Sequence, residues 1–346
     1  MNSSFRVGIS SDFYTDAKGH FERVVEERLS SAGIVVCPLP EQENKIAQAD
    51  VIDQFDAILS LALKYDARSF QGIQRLALIA RWGVGYDMID TRASSEAGVA
   101  LAITPGAVKR PVAESVLAFV FALATNLTIQ DRIVRSGGWR AHLPGLGLNI
   151  KGRVLGSLGL GNIAREVFRM SQSLGFYRMI AHDPFIDAAA ARELNIEMVT
   201  MQELFEQSDF LSIHVPLSAE TRGLVSAQLL RSMKSDAFLI NTARGPIVDE
   251  AALCTALRER WIAGAGLDVF EQEPLPASSP LRGLDNVILT PHGLAWTAEL
   301  ARDNSIEACE NILNMARGVV PAAIVNRDVL QNATFQAKVG RFRSRS

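Results

Sequence analysis

Val154-Leu-Gly-Ser-Leu158 runs straight into Gly159-Leu-Gly161-Asn-Ile-Ala164. An apolar strand that ends in G-x-G-x-x-A and opens a helix makes three physical demands at once. Gly159 permits the tight turn, Gly161 lets the backbone approach a pyrophosphate, and Ala164 is small enough for the helix to pack close to its strand. The helix start then offers unpaired N–H groups and a favourable dipole to phosphate. Glycine loops also occur as simple turns, so the next strand matters. Met179-Ile-Ala-His182 leads to Asp183, about 20 residues beyond the loop, where a dinucleotide fold places its ribose-binding carboxylate. Such a carboxylate accepts both ribose hydroxyls of NAD and repels the extra phosphate of NADP. Pro184 and Phe185 follow, with no arginine to receive that phosphate. The alternative, that Asp183 merely starts a turn before Pro184, leaves the glycine loop without a ribose partner.

Outward from this point the chain alternates strands and helices. Before it, strands are expected at 6–10, 34–37, 57–61, 76–80 and 100–103, and a helix at 19–29. After it, strands are expected at 197–199, 210–214, 238–241, 264–267 and 287–289, and a helix at 298–317. This alternation predicts an α/β protein with parallel sheets and helices on both faces. Thr104-Pro105-Gly106 reads as a hinge-like break. A long apolar helix is expected from Pro111 to Ile129, with Pro111 in its first turn. Its apolar residues go nearly all round, which predicts burial inside a domain or between subunits. The polar stretch from Gln331 to Ser346 reads as a frayed tail.

Composition bounds the function. The 346 residues suggest two domains. An apolar share of 48% and a charged share of 21% exclude a disordered chain. Lys and Arg total 35 against 38 acidic residues, a net charge of -3, with no dense basic block. That argues against a nucleic-acid partner. Cys37, Cys254 and Cys309 are widely spaced in no metal-ligand pattern, so no metal is expected and a reducing, cytoplasmic setting is. No signal peptide is read at the start, and the most lipid-like run, 116–124, is too short to span a membrane.

Three further strand ends suggest the reaction. Leu239-Ile-Asn-Thr-Ala-Arg244-Gly245 ends in an arginine. Gly266-Leu-Asp268-Val-Phe-Glu271-Gln-Glu273-Pro274 ends in carboxylates, and Ile288-Leu-Thr-Pro291-His292 in a histidine. Ligands of open α/β sheets bind beyond the carboxyl ends of strands, so these groups converge on one edge. Hydride transfer to a 2-oxo acid needs such a set. A cation holds the substrate carboxylate and polarises the carbonyl. An imidazolium delivers the proton, and a carboxylate keeps it protonated and oriented.

Residues 76–310 resemble the D-isomer-specific 2-hydroxyacid dehydrogenase family, which includes phosphoglycerate, glyoxylate/hydroxypyruvate and formate dehydrogenases. The resemblance is carried by Arg81-Trp-Gly-Val-Gly-Tyr-Asp-Met-Ile-Asp90, Thr104-Pro-Gly106 with Val112-Ala-Glu114, and the glycine loop. It continues through His214-Val-Pro-Leu217 with Thr221, Asn241-Thr-Ala-Arg-Gly245 with Asp249-Glu250, Asp268-Val-Phe270 with Glu273-Pro274, and Thr290-Pro-His292. It implies Arg244 as the substrate ligand, His292 as proton donor and Glu273 as its partner. Glu271 is then a solvated or structural acid. It further implies that the backbone at Val84 and Gly85 grips the substrate carboxylate. Asn162 and Ile163 would lie at the pyrophosphate and Asp183 at the ribose. Thr242, Ala243 and Asp268 would surround the nicotinamide, with His214, Val215 and Pro216 on the adenine side. His20, His142 and His182 match no catalytic position.

The resemblance also implies a layout. A Rossmann-type NAD-binding domain (105–296) is inserted in a smaller flavodoxin-like α/β substrate domain (1–104 and 297–330), followed by the tail (331–346). The helix region 111–129 matches the family's dimer-forming segment, hence an expected homodimer. Three features depart from the family or stand near the expected pocket. Trp296 follows His292 where small residues are common; it either reshapes the pocket or simply packs at a helix start. Lys109, beside Arg110, either attracts a second acidic group of the substrate or is solvated. Trp139 is a third candidate pocket element. The expected function is NAD(H)-dependent interconversion of a 2-oxo acid and a D-2-hydroxy acid; the alternative is an NAD-sensing, corepressor-like binding protein with little or no turnover. Formate oxidation is disfavoured, because formate enzymes carry an amide where Glu273 stands.

Overall fold

A computed structural model describes residues 4–343 except 187 and 193. The chain divides into two compact units, Met1–Val108 with Trp296–Ser346, and Lys109–Ala295.

The first unit is built on strands β1 (Arg6–Ile9), β2 (Val35–Pro38), β3 (Ala57–Ser60), β4 (Leu78–Arg81) and β5 (Ala100–Ala102). Every pairing is parallel, in the order β2-β1-β3-β4-β5. This is the flavodoxin-like order. The inner strand β3 is buried along its whole length, which is why Ala57-Ile-Leu59 reads as an apolar run rather than as an alternation. Pro38, with no N–H for a ladder, closes the edge strand β2, where it costs least.

The second unit carries β6 (Val154–Leu158), β7 (Arg178–His182), β8 (Glu197–Met198), β9 (Phe210–Ile213), β10 (Phe238–Asn241), β11 (Gly264–Leu267) and β12 (Val287–Leu289). They are all parallel, in the order β12-β11-β10-β9-β6-β7-β8. With β6 counted first, this is the Rossmann order extended by one strand. The order reverses between β6 and β9, so the carboxyl end of β6 faces a crevice. Gly266 of β11 has no room for a side chain, since a Cβ would stand 2.6 Å from Cγ of Phe119. The aromatic ring of the long helix fills that space.

That helix differs from expectation. It begins at Pro105 and runs to Ala124, with Pro111 inside it. Thr104-Pro-Gly106 is therefore the start of the helix rather than a break. Proline at the first helical position loses no needed hydrogen bond, and the Glu307 carboxylate accepts from the N–H groups of Gly106 and Ala107, both at 3.1 Å. On the same face of the helix Ala298–Ala316, Asn304 binds the Thr104 hydroxyl and Asn311 the carbonyl of Ile103. At its far end Asn126 adopts a left-handed conformation (φ 54°), and a separate helix follows at Leu127–Arg135. The expected single helix to Ile129 is thus broken by Asn126, a residue type that tolerates this conformation.

The stretch read as a frayed tail is a helix, Ala333–Arg343, and only Ser344-Arg345-Ser346 lie outside the described residues. Phe335, Val339 and Phe342 are buried, and Phe342 meets Phe5 edge-on at 4.9 Å. Lys338 is 1% exposed. Its ammonium donates to the carbonyls of Leu76 (2.8 Å), Ala97 (2.9 Å) and Gly98 (3.1 Å). Polar letters disguised this helix because the lysine is spent on backbone rather than on solvent. Lys338→Ala leaves three buried carbonyls without their donor and should cost about 3 kcal/mol, read as a lowered Tm; an unchanged Tm would show the helix to be held by its phenylalanines alone.

Candidate active site

The glycine loop behaves as its letters require. Gly159 has φ 94°, and a Cβ there would lie 3.0 Å from the carbonyl carbon of His214. The turn and the neighbouring strand end both need glycine. Gly161 differs: its φ is -76° and a Cβ would meet nothing within 4 Å. The protein itself does not require glycine at 161, so the open space beside it fits a group brought from outside. Gly161 also caps the helix Asn162–Ser171 without a side chain, leaving Asn162 and Ile163 in a first turn with no side-chain cap.

Asp183 follows β7 and is anchored at both oxygens. It accepts from the N–H of Leu160, inside the glycine loop, and from that of Phe185, each at 2.9 Å. The carboxylate is therefore held against the loop, where a ribose would be met. His214 sits at the end of β9, with its Nε2 2.9 Å from the hydroxyl of Ser212. Enclosure by protein pushes its pKa down to about 4, so the ring is neutral at working pH. Beyond it, the Thr221 hydroxyl donates to the carbonyl of Pro216 at 2.6 Å, closing the loop that also carries Val215. At the end of β10 the Thr242 hydroxyl is buried with no hydrogen-bond partner among the described residues. A buried orphan hydroxyl at a strand's carboxyl end calls for an acceptor or donor from outside the chain. Gly161, Asp183 and Thr242 together fit a dinucleotide.

Arg244, Glu273 and His292 converge in the second unit. His292 Nδ1 lies 2.8 Å from Glu273 Oε2, and the other carboxylate oxygen accepts from the N–H of Phe270 at 3.0 Å. Burial alone would raise the Glu273 pKa. The hydrogen bond and charge of His292, the Phe270 amide and the charge of Arg244 outweigh it, so the carboxyl stays below its usual range. Arg244 is turned by its own loop: Nη1 donates to the carbonyl of Ala243 at 2.7 Å. Glu271 is exposed, and its N–H donates to Glu250 at 3.0 Å.

Two residues that shape the site carried weaker signals in the sequence. Asn241 accepts from the N–H of Ala243 (3.0 Å) and donates to the carbonyl of Arg244 (2.9 Å), folding the loop that carries the arginine. Its signals are its place at the end of an apolar strand and at the head of the Asn241-Thr-Ala-Arg-Gly245 stretch. Asp268, expected at the nicotinamide, is engaged with the histidine loop. Its Oδ1 accepts from the Thr290 hydroxyl (2.6 Å) and from the N–H groups of Gly293 (3.0 Å) and Leu294 (3.1 Å). His292 lies between those anchors with φ 51°, a conformation uncommon for a non-glycine residue.

In the first unit the loop after β4 carries Val84 and Gly85, whose N–H groups find no acceptor among the described residues. Trp296 packs edge-on against Trp82 at 5.7 Å, with His20 lining the same small hollow. Lys109 is exposed, whereas Arg110 pairs with Glu114 (2.6 Å) and Glu166 (3.4 Å). Trp139 is 64% exposed. His142 bonds Trp139, and His182 Nδ1 lies 2.9 Å from the Val199 carbonyl. Among the described residues no cluster could hold a metal ion and no single helix is long and apolar enough to cross a membrane.

Residues 117–293 match the family described as D-isomer specific 2-hydroxyacid dehydrogenase, NAD binding domain. The chain is 39% identical over 280 residues to a glyoxylate reductase of Korarchaeum cryptofilum, covering 80% of this chain and 84% of that one. It is 37% identical over 298 residues to a glyoxylate reductase of Aeropyrum pernix, covering 84% and 88%. A solved structure of a glyoxylate reductase from Paecilomyes thermophila superposes with a TM-score of 0.82 at 27% identity, covering 93% of this chain and 98% of that one. The chain belongs to the D-isomer specific 2-hydroxyacid dehydrogenase family and is an NAD-binding oxidoreductase of that class. The corepressor-like alternative finds no support among these relatives.

Asp268→Ala should release the histidine loop and lower kcat ~100-fold, the usual cost of about 1 Å of misplacement. NADH titration in parallel separates this from a lost cofactor contact: weakened NADH binding with unaltered kcat would assign Asp268 to the cofactor instead.

Proposed function

We propose that the protein reduces a small 2-oxo acid of about the size of glyoxylate to its D-2-hydroxy acid (glycolate, itself achiral, in the case of glyoxylate), with NADH preferred over NADPH. The observation that carries this reading is the His292–Glu273 pair at 2.8 Å, with the Arg244 charge acting on the same carboxylate. The cofactor, when bound, supplies the hydride. Arg244 holds the substrate carboxylate and polarises the carbonyl oxygen. His292 presents Nε2 to that oxygen and gives up its proton as the alkoxide forms, while Nδ1 stays with Glu273. Val84 and Gly85 supply amides to the carboxylate. Asn162, Ile163, Asp183, His214, Val215, Pro216, Thr221, Thr242 and Ala243 form the cofactor contacts, and Trp296 and Lys109 border the substrate. The first unit is the substrate domain and the second the NAD domain.

Asp183 supports the cofactor preference, since an anchored carboxylate offers nothing but repulsion to a 2′-phosphate. Homodimer formation through 111–129 is supported by Phe121 and Leu127, which stay 43% and 56% exposed. Sedimentation of the purified chain as a monomer would remove that part of the reading.

Three measurements test the chemistry. NADH consumption with glyoxylate, hydroxypyruvate and pyruvate should show turnover, and His292→Ala should lower kcat ~10²–10⁴-fold with NADH affinity retained. Asp183→Ala should weaken NADH binding ~10–100-fold, the range for a charge-assisted hydrogen bond, and narrow the preference over NADPH. Glu273→Gln tests the pH dependence. Because the Glu273 pKa is lowered, the carboxylate supports the imidazolium at all pH values above the ordinary carboxylate range and loses it only as pH falls through the lower value. The amide removes that support, so the alkaline fall in reduction rate should move to lower pH; an unmoved profile would detach Glu273 from proton delivery.

A further inference from the structure

An arginine ends β4 that the chemistry above leaves unused. The Arg81 side chain turns back on its own loop: Nε donates to the carbonyl of Gly85 at 2.9 Å, and Nη1 donates to the carbonyl of Trp82. The wrap is close. Gly83 has φ 130°, and a Cβ there would lie 2.9 Å from Arg81 Nη1.

Three further polar groups of the loop are spent within the first unit. The Trp82 N–H donates to the carbonyl of Ser60 at 2.9 Å. The Gly83 N–H donates to the Thr104 hydroxyl at 2.8 Å, and the Gly83 carbonyl accepts from the Thr104 N–H at 3.0 Å. Thr104 is held in turn by Asn304 at 2.6 Å. In a trans peptide the carbonyl and the following N–H point in opposite directions. Thr104 on the Gly83 carbonyl therefore turns the Val84 N–H the other way, and Arg81 on the Gly85 carbonyl turns the Tyr86 N–H away from the guanidinium. The donors at Val84 and Gly85 remain unspent among the described residues. Successive free amides backed by a cation form a cradle for an anion.

We propose that Arg81 is a positioning residue for substrate binding, drawing the Trp82 and Gly85 carbonyls inward so that the loop's amides present to the carboxylate of the 2-oxo acid. This rests on the reading that Val84 and Gly85 hold that carboxylate. Arg81 acts through the backbone: it holds the carbonyls that flank the donor stretch, so that the loop carrying the donors keeps its shape, and adds positive charge behind them. Lysine cannot replace it, because a single ammonium lacks the planar fork that serves two carbonyls from fixed directions.

The test compares glyoxylate with glyoxal, an aldehyde of similar size without the carboxylate, in the full-length enzyme with NADH. The ratio of kcat/KM for the two measures the carboxylate grip. Arg81→Ala should lower that ratio ~10–100-fold, the range for losing a hydrogen bond to a charged group. The loss should fall on KM for glyoxylate more than on kcat, and millimolar guanidinium ion should restore part of it. Arg81→Lys keeps the charge and should still lose most of the ratio, which keeps the proposal open to refutation where Arg81→Ala fails to fold. A wild-type enzyme that prefers glyoxylate, with variants that keep the full preference, overturns the role of Arg81. A wild-type enzyme with no preference overturns the carboxylate reading of the loop, and the proposal with it.

Discussion

The backbone at Gly245 lies so close to that of Phe270 and Glu271 that a Cβ would stand 1.9 Å from the Phe270 carbonyl carbon. No side chain fits, and no rotamer change can make room, because the obstacle is main chain. This contact locks the loop after β10 onto the loop after β11. Arg244 precedes the contact by one residue, and Glu273 follows it closely on the other side. The electrostatic support that Glu273 draws from Arg244, and the pairing of Glu273 with His292, depend on two loops that can approach only through glycine. Asp268 completes the arrangement by fastening the third loop, after β12, with one carboxylate oxygen. Three strand ends are thus joined by one close approach and one acceptor.

Much of this was legible beforehand, for reasons that can be named. Buried parallel strands advertise themselves as apolar runs, so β6, β9 and β10 could be placed from letters alone. The glycine loop and Asp183 were legible because their spacing follows from the geometry of one strand–helix–strand unit. The pairing of His292 with Glu273 was legible only as convergence on an edge plus resemblance; the 2.8 Å contact needed the fold. Residues whose work is to hold other residues were less visible. Asn241 and Arg81 head stretches that carry the resemblance, but their letters do not say that their polar groups are spent on backbone, and Glu307 carries no signal of its own. The start of the helix 105–124 is hidden in the sequence because Pro111 resembles a first-turn proline, whereas Pro105 occupies that place with Glu307 accepting from the turn. The final helix is hidden because a buried lysine looks like a solvated one in the sequence, where its three carbonyls do not show.

The near-neutral net charge hides strong local contrasts. Arg244 and Arg81 direct guanidinium groups at backbone carbonyls of their own loops, so both are preorganised rather than swinging in solvent. A cation already held in place loses little freedom when it meets an anion. Acidic groups are managed in the same way: Asp183 and Asp268 are committed to backbone amides on at least one oxygen. These four charged groups are fixed fittings, and a net charge of -3 does not reveal them.

The position of Lys338 has a consequence for synthesis. Its ammonium serves carbonyls at Leu76, Ala97 and Gly98, more than two hundred residues upstream. As the chain leaves the ribosome, the second unit is complete once residue 295 has emerged, while the first unit still lacks everything from Trp296 onward. At about 5–20 residues per second, on the order of tens of seconds pass in which the early strands are finished but their last helix does not yet exist. During that interval the three carbonyls and the apolar surface destined for Phe335 and Phe342 stand open. The order of birth is therefore the reverse of the order of completion: the unit that starts first is the one that closes last.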